Sequence, residues 1–491
     1  MITWTVGSGG NFASIADAMA SGSVVAGDTI EFIGNYGGEN ATVTIAGLTF
    51  TNAPNTSDIG TGLTLGAGID TLTLGTVQQP IAVTGNADSD TLTVQGTADA
   101  DTTFVTVSGD VITQINYGTI TGIEHVTLDL RGQTGDTLDY GTNTSQAVVV
   151  DLAAGTATGF DSIAGVQQVN AGSGDDTLTG GTGTSYLFGR GGDDILTAGT
   201  GGGFLSGDAG NDTLDASASL VGMSLQGGAG ADMLTGSAFK DFLFDNAGVA
   251  SDGADDTLNG GDGDDQITSY GGADAIDGGA GTDTAQIDRS GATAALTFDE
   301  TDIDTVTTLV GDGTTVIHVE NINLFGGGGD DQFSVASGSN HLVGGGGDDT
   351  LTGGSGVDTL DGGIGADTLT LGAGGTANGG AGSDTISGGS TFTSNLNGDA
   401  GDDQITGGAA FSTLDGGDGK DTLTAGAGGD SMTGDAGDDT LDATAETSGS
   451  TLDGGTGNDT LIGGDLNDTL VDGPTGDNGS DTLSAGADAD S

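Results

Sequence analysis

Aspartate and glycine recur at a fixed spacing along this chain, and both residue types can offer oxygen ligands to a metal ion. The segments GGDGDDQIT at 260–268 and GGGGDDTLT at 344–352 show the unit: glycine at positions 1, 2 and 4, aspartate at position 6 and a large aliphatic residue at position 8. About twenty copies follow one another from about residue 171 onward. A flexible glycine-rich linker has no reason to keep a nine-residue phase, so the repeat predicts an ordered structure.

The spacing of the aspartates indicates which ion the repeats hold. The Gly-Gly-x-Gly half predicts a tight loop and the x-Leu-x half a short strand with position 8 in the core, so two units complete one coil. Asp176, Asp194 and Asp212 lie eighteen residues apart and are expected to stack about 4.8 Å from coil to coil. Carboxylates at that distance repel strongly unless a cation lies between them. Two carboxylates and the carbonyls of two glycine loops form an all-oxygen cage, which suits Ca²⁺ better than Mg²⁺.

The predicted calcium ligands are the position-six carboxylates and the carbonyls of the glycine loops; the alternative is that the aspartates are solvated turn residues. The aspartates are Asp176, Asp194, Asp212, Asp232, Asp256, Asp265, Asp274, Asp283, Asp331, Asp349, Asp358, Asp367, Asp384, Asp403, Asp421, Asp430, Asp439, Asp459 and Asp468. The glycines are Gly172, Gly174, Gly192, Gly210, Gly261, Gly263, Gly345, Gly347, Gly354, Gly356, Gly417, Gly419 and Gly437. The degenerate unit at 65–73 adds Asp70 as a further candidate.

The two edges of the predicted solenoid differ in their aspartates. Between 171 and 215, Ser185 and Gly203 stand where the alternate units should carry aspartate. One edge is therefore expected to hold a full ladder of calcium ions there, while the other is poor in metal. Successive units around 344–370 all keep the aspartate, so both edges are expected to bind there.

The nonapeptide resembles the calcium-binding repeat of the RTX family. The resemblance implies an all-β fold, a right-handed parallel β-roll or β-helix solenoid with calcium bound between stacked glycine-rich loops. It also implies an extracellular or bacterial cell-surface protein, exported by type I secretion with an uncleaved C-terminal signal. The absence of cysteine and the small, acidic tail are compatible with that route.

The organisation of the chain follows from where the repeat begins and stops. Residues 11–22 have helical spacing and precede a strand-like GDTIEFIG, which resembles the N-terminal cap of parallel β-helices. The non-repeat flanks are interpreted as solenoid coils without metal loops. The predicted segments are a cap with the first coils (1–60), a metal-poor β-solenoid (61–170), a first RTX β-roll block (171–286), a non-repeat strand segment (287–325), a second RTX β-roll block (326–484) and a C-terminal tail (485–491).

Composition excludes several classes of function. Five Lys+Arg against 72 Asp+Glu give a net charge of −67, so a basic surface for nucleic acid is excluded. Three histidines and no cysteine argue against a tetrahedral zinc site. No apolar run reaches the roughly 18–20 residues of a transmembrane helix. A polyanion with an ordered repeat needs a counter-charge to fold, and this agrees with the calcium prediction.

Three functions remain open. The first is a secreted structural protein that folds on calcium and associates with itself into a cell-surface layer or filament, as RTX-type S-layer proteins do. The second is a calcium-dependent adhesin that binds polysaccharide or lipopolysaccharide, with Trp4, Tyr36 and Tyr117 as candidate contacts. The third, an RTX polysaccharide lyase or epimerase, requires basic and histidine side chains near one another. The few in this chain are scattered, so we expect no enzyme.

Overall fold

The x-Leu-x half of the nine-residue unit forms a short strand whose central residue is buried. Leu178, Leu196 and Leu214 have no exposed surface, and their neighbours on either side lie on the outer face. This alternation follows from the two-residue period of a strand, which sends every second side chain to the same face. The core is therefore a column of aliphatic side chains, one from each strand.

The structure is a computed structural model. It describes the strand segments 3–7, 29–33, 41–42, 49–52, 63–64, 71–74 and 83–84, then residues 90–95, 100–116, 118–131, 135–142, 144–246, 253–471, 473 and 479–486. These residues form strands, turns and bends, with no helix among them. The predicted helix at 11–22 and the candidate Asp70 lie outside the described residues, whereas the predicted strand in GDTIEFIG is present as Thr29–Ile33.

The chain divides into two compact units, Met1–Phe239 and Lys240–Ser491. The first unit contains β1 (Thr3–Gly7), β2 (Thr29–Ile33), β3 (Ala41–Thr42), β4 (Thr49–Asn52), β5 (Leu63–Thr64), β6 (Thr71–Leu74), β7 (Val83–Thr84), β8 (Thr91–Gln95), β9 (Thr102–Ser108), β10 (Val111–Ile115), β11 (Gly118–Thr121), β12 (His125–Asp129), β13 (Thr137–Asp139), β14 (Val149–Asp151), β15 (Thr156–Ala157), β16 (Ser162–Ala164), β17 (Gln168–Asn170), β18 (Thr177–Thr179), β19 (Ser185–Gly191), β20 (Ile195–Thr197), β21 (Gly203–Ala209), β22 (Thr213–Asp215), β23 (Met223–Ala229) and β24 (Met233–Thr235).

The second unit contains β25 (Phe242–Phe244), β26 (Thr257–Asp262), β27 (Gln266–Tyr270), β28 (Ala275–Ala280), β29 (Thr284–Asp288), β30 (Thr297–Asp299), β31 (Thr307–Thr308), β32 (Thr315–Ile317), β33 (Asn321–Phe325), β34 (Gln332–Ser334), β35 (His341–Gly346), β36 (Thr350–Thr352), β37 (Val357–Ile364), β38 (Thr368–Thr370), β39 (Gly374–Ala381), β40 (Thr385–Ser387), β41 (Ser394–Ala400), β42 (Gln404–Thr406), β43 (Ser412–Asp418), β44 (Thr422–Thr424), β45 (Ser431–Ala436), β46 (Thr440–Asp442), β47 (Thr451–Asp453), β48 (Thr460–Ile462), β49 (Thr469–Val471) and β50 (Thr482–Ser484).

The repeats of the first unit stack as a parallel β-solenoid. One face consists of β14, β18, β20, β22 and β24, in which Thr177 pairs with Ile195 and Ile195 with Thr213, eighteen residues apart. The other face consists of β17, β19, β21 and β23. The predicted coil of two units is therefore confirmed.

The second unit repeats this arrangement over a longer stretch. One face runs through the even-numbered strands from β34 to β50, and the other through the odd-numbered strands from β33 to β49. Leu351, Leu369 and Leu423 are fully buried between the two faces. All the neighbouring strands that pair along these two faces are parallel.

The segment 287–325 is only partly the run of solenoid coils that the sequence predicts. Strands β32 and β33 stack in parallel on β28 and β29, as expected. Strand β31, however, pairs antiparallel with β32, and Thr297, the first residue of β30, bridges antiparallel to Val310. Strand β30 then pairs in parallel with β34 and begins the face that continues to β50. An antiparallel ribbon is thus inserted in this face, because residues 289–314 carry no nine-residue phase.

The coils before residue 170 are also mixed. Strands β1, β2, β4, β6, β8, β12 and β16 form one parallel sheet, but β9, β10 and β11 are joined by antiparallel pairing. The described residues include no apolar helix long enough to cross a bilayer.

Candidate metal centre

The position-six aspartates of the first unit form a row of buried carboxylates that runs from coil to coil. This row, Asp176, Asp194, Asp212 and Asp232, is here called the first ladder. Each stands immediately before a strand of the same face, and each is at most 3% exposed. The amide of Asp176 donates to Oδ1 of Asp194, and the amide of Asp194 donates to Oδ1 of Asp212, both at 2.7 Å. The stacking predicted from the eighteen-residue spacing is therefore present.

The second carboxylate oxygen of many ladder residues is buried and accepts no hydrogen bond. A buried carboxylate oxygen without a partner loses its hydration without compensation, which costs several kcal/mol. Such an oxygen marks a place where a cation or a donor would stabilise the fold. The position-six residues whose Oδ2 has this property include Asp194, Asp212, Asp265, Asp283, Asp349, Asp367, Asp384, Asp403, Asp421 and Asp439.

Glycine at position 1 keeps this oxygen accessible from the loop. A Cβ at Gly207 would lie 2.1 Å from Oδ2 of Asp212, and a Cβ at Gly344 would lie 2.1 Å from Oδ2 of Asp349. Any other residue would therefore fill the space beside the carboxylate. The glycines predicted as calcium ligands are at positions 2 and 4, and the sequence pattern assigns position 1 to the tight loop without predicting its contact with the carboxylate.

Glycine at position 4 brings successive loops together. Gly210 has a φ of +146°, a region that disfavours side chains, and a Cβ there would lie 1.9 Å from the carbonyl oxygen of Gly192. Carbonyl oxygens and carboxylates of neighbouring loops are thus close along the ladder.

Burial makes these carboxylates hard to ionise while no cation is bound. Desolvation, together with the charges of Asp176 and Asp212, raises the pKa of Asp194 from its ordinary value of 3.8 to about 8. The same cause raises the pKa of Asp349 and Asp403 to about 7. A ladder of ionised aspartates is therefore unfavourable without a compensating cation.

The second unit holds a longer row, here called the second ladder. Asp349 donates its amide to Oδ1 of Asp367, at 2.7 Å, and the same contact recurs up to Asp459, whose amide donates to Oδ1 of Asp481. The sequence prediction missed Asp481, although the unit GDNGSDTLS at 476–484 keeps glycine at positions 1 and 4 and aspartate at position 6. The members are Asp331, Asp349, Asp367, Asp384, Asp403, Asp421, Asp439, Asp459 and Asp481.

Aspartates pair with one another on both edges near the beginning of the second unit. Asp241, Asp265 and Asp283 form a short ladder on the edge of β25, β27 and β29, and the amide of Asp283 donates to Oε2 of Glu320 at 2.7 Å. The motif search missed Asp241, because its unit GSAFKDFLF lacks glycine at positions 2 and 4, and Glu320, which lies outside the repeat.

Two predicted ligands, Asp358 and Asp430, do not stack on another aspartate. Asp358 is stacked between Asn340 and Gly375. Calcium was predicted on both edges around 344–370, but on this edge Asp358 has no aspartate in the coil before or after it. Asp430 lies between Ser412 and Ser450, and the amide of Ser450 donates to Asp468. The two-carboxylate cage predicted from the sequence is therefore not assembled at Asp358 or Asp430, whereas the side chain of Asp468 contacts the carboxyl group of Glu446.

The preceding strand determines how a loop satisfies its aspartate. In loops here called open, positions 1 to 3 continue that strand, as β21 does up to Ala209 before Asp212. In loops here called closed, the preceding strand is short and the position-two amide turns to the position-six side chain. Gly172 donates in this way to Oδ2 of Asp176, at 3.0 Å. The other closed pairs are Gly327 with Asp331, Gly426 with Asp430, Gly464 with Asp468, Gly181 with Ser185 and Gly408 with Ser412.

Two further predicted ligands, Asp256 and Asp274, pair with each other before β26 and β28. The amide of Asp256 donates to Oδ1 of Asp274, at 2.9 Å. Oδ2 of Asp274 differs from the ladder oxygens, because it accepts from Ser269 Oγ and from the guanidinium of Arg289.

The residues of the open loops fit a calcium ion. Among the described residues, no group of three or more carboxylates or histidines converges on one point, so carbonyl oxygens must complete the ligand set. Buried carboxylate oxygens without donors, next to glycine carbonyls, form an all-oxygen environment of the kind that calcium prefers. The assignment of individual ligands stays a prediction.

Comparison with known proteins agrees with this chemistry. A search of curated proteins gives no match. The family model of the RTX calcium-binding nonapeptide repeat matches more than half of the chain, at residues 170–205, 197–219, 224–249, 251–285, 323–342, 334–369, 372–391, 395–410, 415–446, 447–471 and 475–491. With its parallel β-solenoid and its stacked aspartate ladders, the chain belongs to the RTX family of calcium-binding repeat proteins.

Proposed function

We propose that this chain is an extracellular structural protein whose repeats fold when calcium binds and which then associates with itself into a layer or filament. The observation that carries the proposal is the column of buried ladder oxygens without hydrogen-bond donors. Calcium neutralises these carboxylates and bridges neighbouring loops, so its binding free energy becomes folding free energy.

An extracellular location suits this requirement. RTX repeats are typical of secreted proteins, and extracellular calcium modules work with dissociation constants of about 10⁻⁴ to 10⁻³ M. Cytosolic free calcium is far too low to load such sites. Type I secretion of the unfolded chain, followed by folding outside the cell, is the export route that we propose.

Self-association is supported by an apolar row on the outside of the first unit. Val149, Thr177, Ile195, Thr213 and Met233 are in register across β14, β18, β20, β22 and β24. Val149 is 54% exposed, Ile195 50% and Met233 51%. A regular row of exposed apolar side chains favours packing against another copy once calcium has reduced the repulsion between the chains.

The test is electron microscopy and analytical ultracentrifugation of the whole chain with and without 5 mM calcium. We expect sheets or filaments with calcium and monomers with chelator. The double variant Ile195→Thr, Met233→Thr replaces two exposed apolar side chains by threonine, which the same row already carries at positions 177 and 213. It should shift the calcium-loaded protein toward monomer. Val111→Thr, at an exposed valine outside the row, is the matched control. Calcium-loaded wild-type protein that stays monomeric would refute the assembly.

The adhesin alternative is favoured by an aromatic cluster on the opposite face. Phe188 and Phe204 lie with ring centroids 5.6 Å apart, and Tyr186 beside them is 43% exposed. Aromatic rings on a flat sheet can stack on sugar rings. Trp4, Tyr36 and Tyr117, proposed from the sequence, have side chains outside the described part. Calcium-dependent retention on a polysaccharide column, lost in Tyr186→Ser, would support this function over assembly.

A further inference from the structure

One arginine, Arg289, is buried directly after β29. Its guanidinium lies beside Asp274, the last aspartate of the Asp256–Asp274 pair that precedes β26 and β28. The Arg289 side chain is 4% exposed, in a chain that has only five lysines and arginines. An isolated buried guanidinium is costly, so its partners must compensate its charge. They are all in the second unit, around the loop at 269–274 and the segment at 312–314.

The guanidinium is surrounded by oxygen atoms. Its Nε contacts the Asp312 carboxylate, and its Nη2 donates to Oδ2 of Asp274 at 3.2 Å. The charge of Asp245 also acts on this site, because Asp274 raises and Arg289 lowers the pKa of Asp245. The remaining acceptors are Thr314 Oγ1 at 2.7 Å, Ser269 Oγ at 3.0 Å, the Asp288 carbonyl at 3.0 Å, and the Ser269 and Gly272 carbonyls at 3.2 Å.

This set of oxygens resembles that of the ladder loops, although Ser269 stands at position 1, where the loops of Asp212 and Asp265 carry glycine. Asp274 occupies position six, and Oδ2 of the equivalent residues Asp212 and Asp265 has no donor. Here that oxygen has two donors, Ser269 and Arg289. The residue stacked on Asp274 is Thr314, because Ala275 pairs with Thr315. The next coil therefore carries threonine where the ladders carry aspartate, and a fixed cation lies beside the Asp274 carboxylate.

We propose that Arg289 takes the place of a calcium ion at this loop and gives the chain one coil that forms without metal. The inference rests on the proposed function, since it assumes that the neighbouring repeat coils need calcium. The guanidinium already satisfies the buried carboxylate and a loop carbonyl, and its positive charge opposes entry of a divalent cation.

The position of this coil gives it a role in folding. A solenoid is stabilised by contacts between neighbouring coils, so folding spreads from wherever the first coil is stable. Strands β28, β29, β32 and β33 meet around Arg289 and lead toward the second ladder. A metal-independent coil here is a nucleus on which calcium-binding coils can add.

Hydrogen exchange of the whole chain, followed by mass spectrometry, tests the inference. In EDTA we expect amides of β28 and β32 to exchange at least about tenfold more slowly than those of β36 to β46. In Arg289→Gln this protection should disappear in EDTA and return in 5 mM calcium. Arg190→Gln is the matched control, because Arg190 also pairs with an aspartate, Asp139, but lies in the first unit. It should leave the protection of β28 and β32 unchanged.

Two results would overturn the inference. One is wild-type exchange in EDTA that is as fast at β28 and β32 as at β36 to β46, and this comparison decides the matter even if the variant fails to fold. The other is full protection of β28 and β32 in EDTA in Arg289→Gln. The proposed function fails by a separate result, namely β36 to β46 gaining no protection when calcium is added to wild-type protein.

Discussion

Each ladder aspartate carries two oxygens with different roles. Oδ1 accepts the amide of the aspartate one coil earlier and so fixes the spacing between coils, as between Asp403 and Asp421 at 2.9 Å. Oδ2 has no donor in the open loops and so is left for a cation. Because one side chain serves both purposes, replacing the carboxylate by an amide separates them: an amide oxygen can still accept the hydrogen bond, but the charge is gone.

Asp421→Asn tests this separation in the middle of the second ladder. We expect the calcium concentration at the folding midpoint to rise by about tenfold, equivalent to about 1.4 kcal/mol, because neighbouring sites lose a charged ligand. Without calcium, the variant should be more stable than wild type, since a buried charge has been removed. Circular dichroism during calcium titration measures both effects.

Asp430→Asn is the control for that experiment. Asp430 is in a closed loop, accepts the amide of Gly426 and has serine in the neighbouring coils. Its midpoint should shift much less. Equal shifts in the two variants would mean that stacking of aspartates does not determine where calcium binds.

Gly207→Ala tests the space beside the ladder oxygen. The new Cβ would lie 2.1 Å from Oδ2 of Asp212, so the loop must move or the carboxylate must turn away. Overpacking of this kind costs about 1–3 kcal/mol. Thermal unfolding in saturating calcium should show the loss. In Gly183→Ala the Cβ meets no atom within 4 Å, so this variant should unfold close to wild type. Similar losses in both would contradict the steric explanation.

At the scale of elements, strand length separates the two kinds of loop. Strand β19 has seven residues and leads into the open loop of Asp194, whereas β18 has three and leads into the closed loop of Ser185. When the strand continues through positions 1 to 3, the position-two amide is not turned to the position-six side chain. The calcium sites are thus selected by the backbone as well as by the aspartate.

The nine-residue phase was enough to predict the strands, the coil of eighteen residues and the buried Leu178, Leu196 and Leu214. It could not separate open from closed loops, because the units of Asp176 and Asp194 share glycine at position 4, Asp-Asp at positions 5 and 6 and Leu-Thr at positions 8 and 9, and the strands before them differ in length. It also could not predict the antiparallel pairing of β31, since no repeat covers that segment. The site of Arg289 could not be predicted either, because its partners at 269–274 and 312–314 are distant in sequence.

The raised pKa values of the ladders predict opposite effects of pH with and without calcium. The pKa of Asp194 is raised to about 8 and that of Asp439 to about 7, above the ordinary 3.8. Between pH 4 and 8 the folded, metal-free chain therefore binds more protons than the unfolded chain, and its stability falls as pH rises. In EDTA the strand signal in circular dichroism should be larger at pH 5 than at pH 8.

Calcium should reverse this order, because protons compete with it for the same oxygens. The calcium concentration needed for folding should be higher at pH 5 than at pH 8. A metal-free strand signal that grows with pH would show that the ladder carboxylates are not protonated in the folded chain.

At the scale of the whole molecule, a net charge of −67 opposes any compact state. This repulsion acts over the Debye length, which is about 8 Å in physiological salt and about 3 Å at 1 M. General screening and site binding are therefore different contributions to folding. Screening acts on all acidic residues, including exposed ones such as Asp193 and Asp348, whereas site binding acts only on the buried ladders.

Salt and calcium should consequently have separable effects on the whole chain. In EDTA, 1 M NaCl should reduce the hydrodynamic radius because it screens the exposed acids, but it should add little strand signal, because sodium does not compensate the buried oxygens. Calcium at 5 mM should both reduce the hydrodynamic radius and add the strand signal. Magnesium at 5 mM should have a smaller effect on both quantities, because Mg²⁺ keeps its water and demands octahedral geometry. Light scattering and circular dichroism on the same samples measure both quantities. If NaCl alone produced the full strand signal, screening would be sufficient for folding, and the stacked aspartates would not need an ion between them.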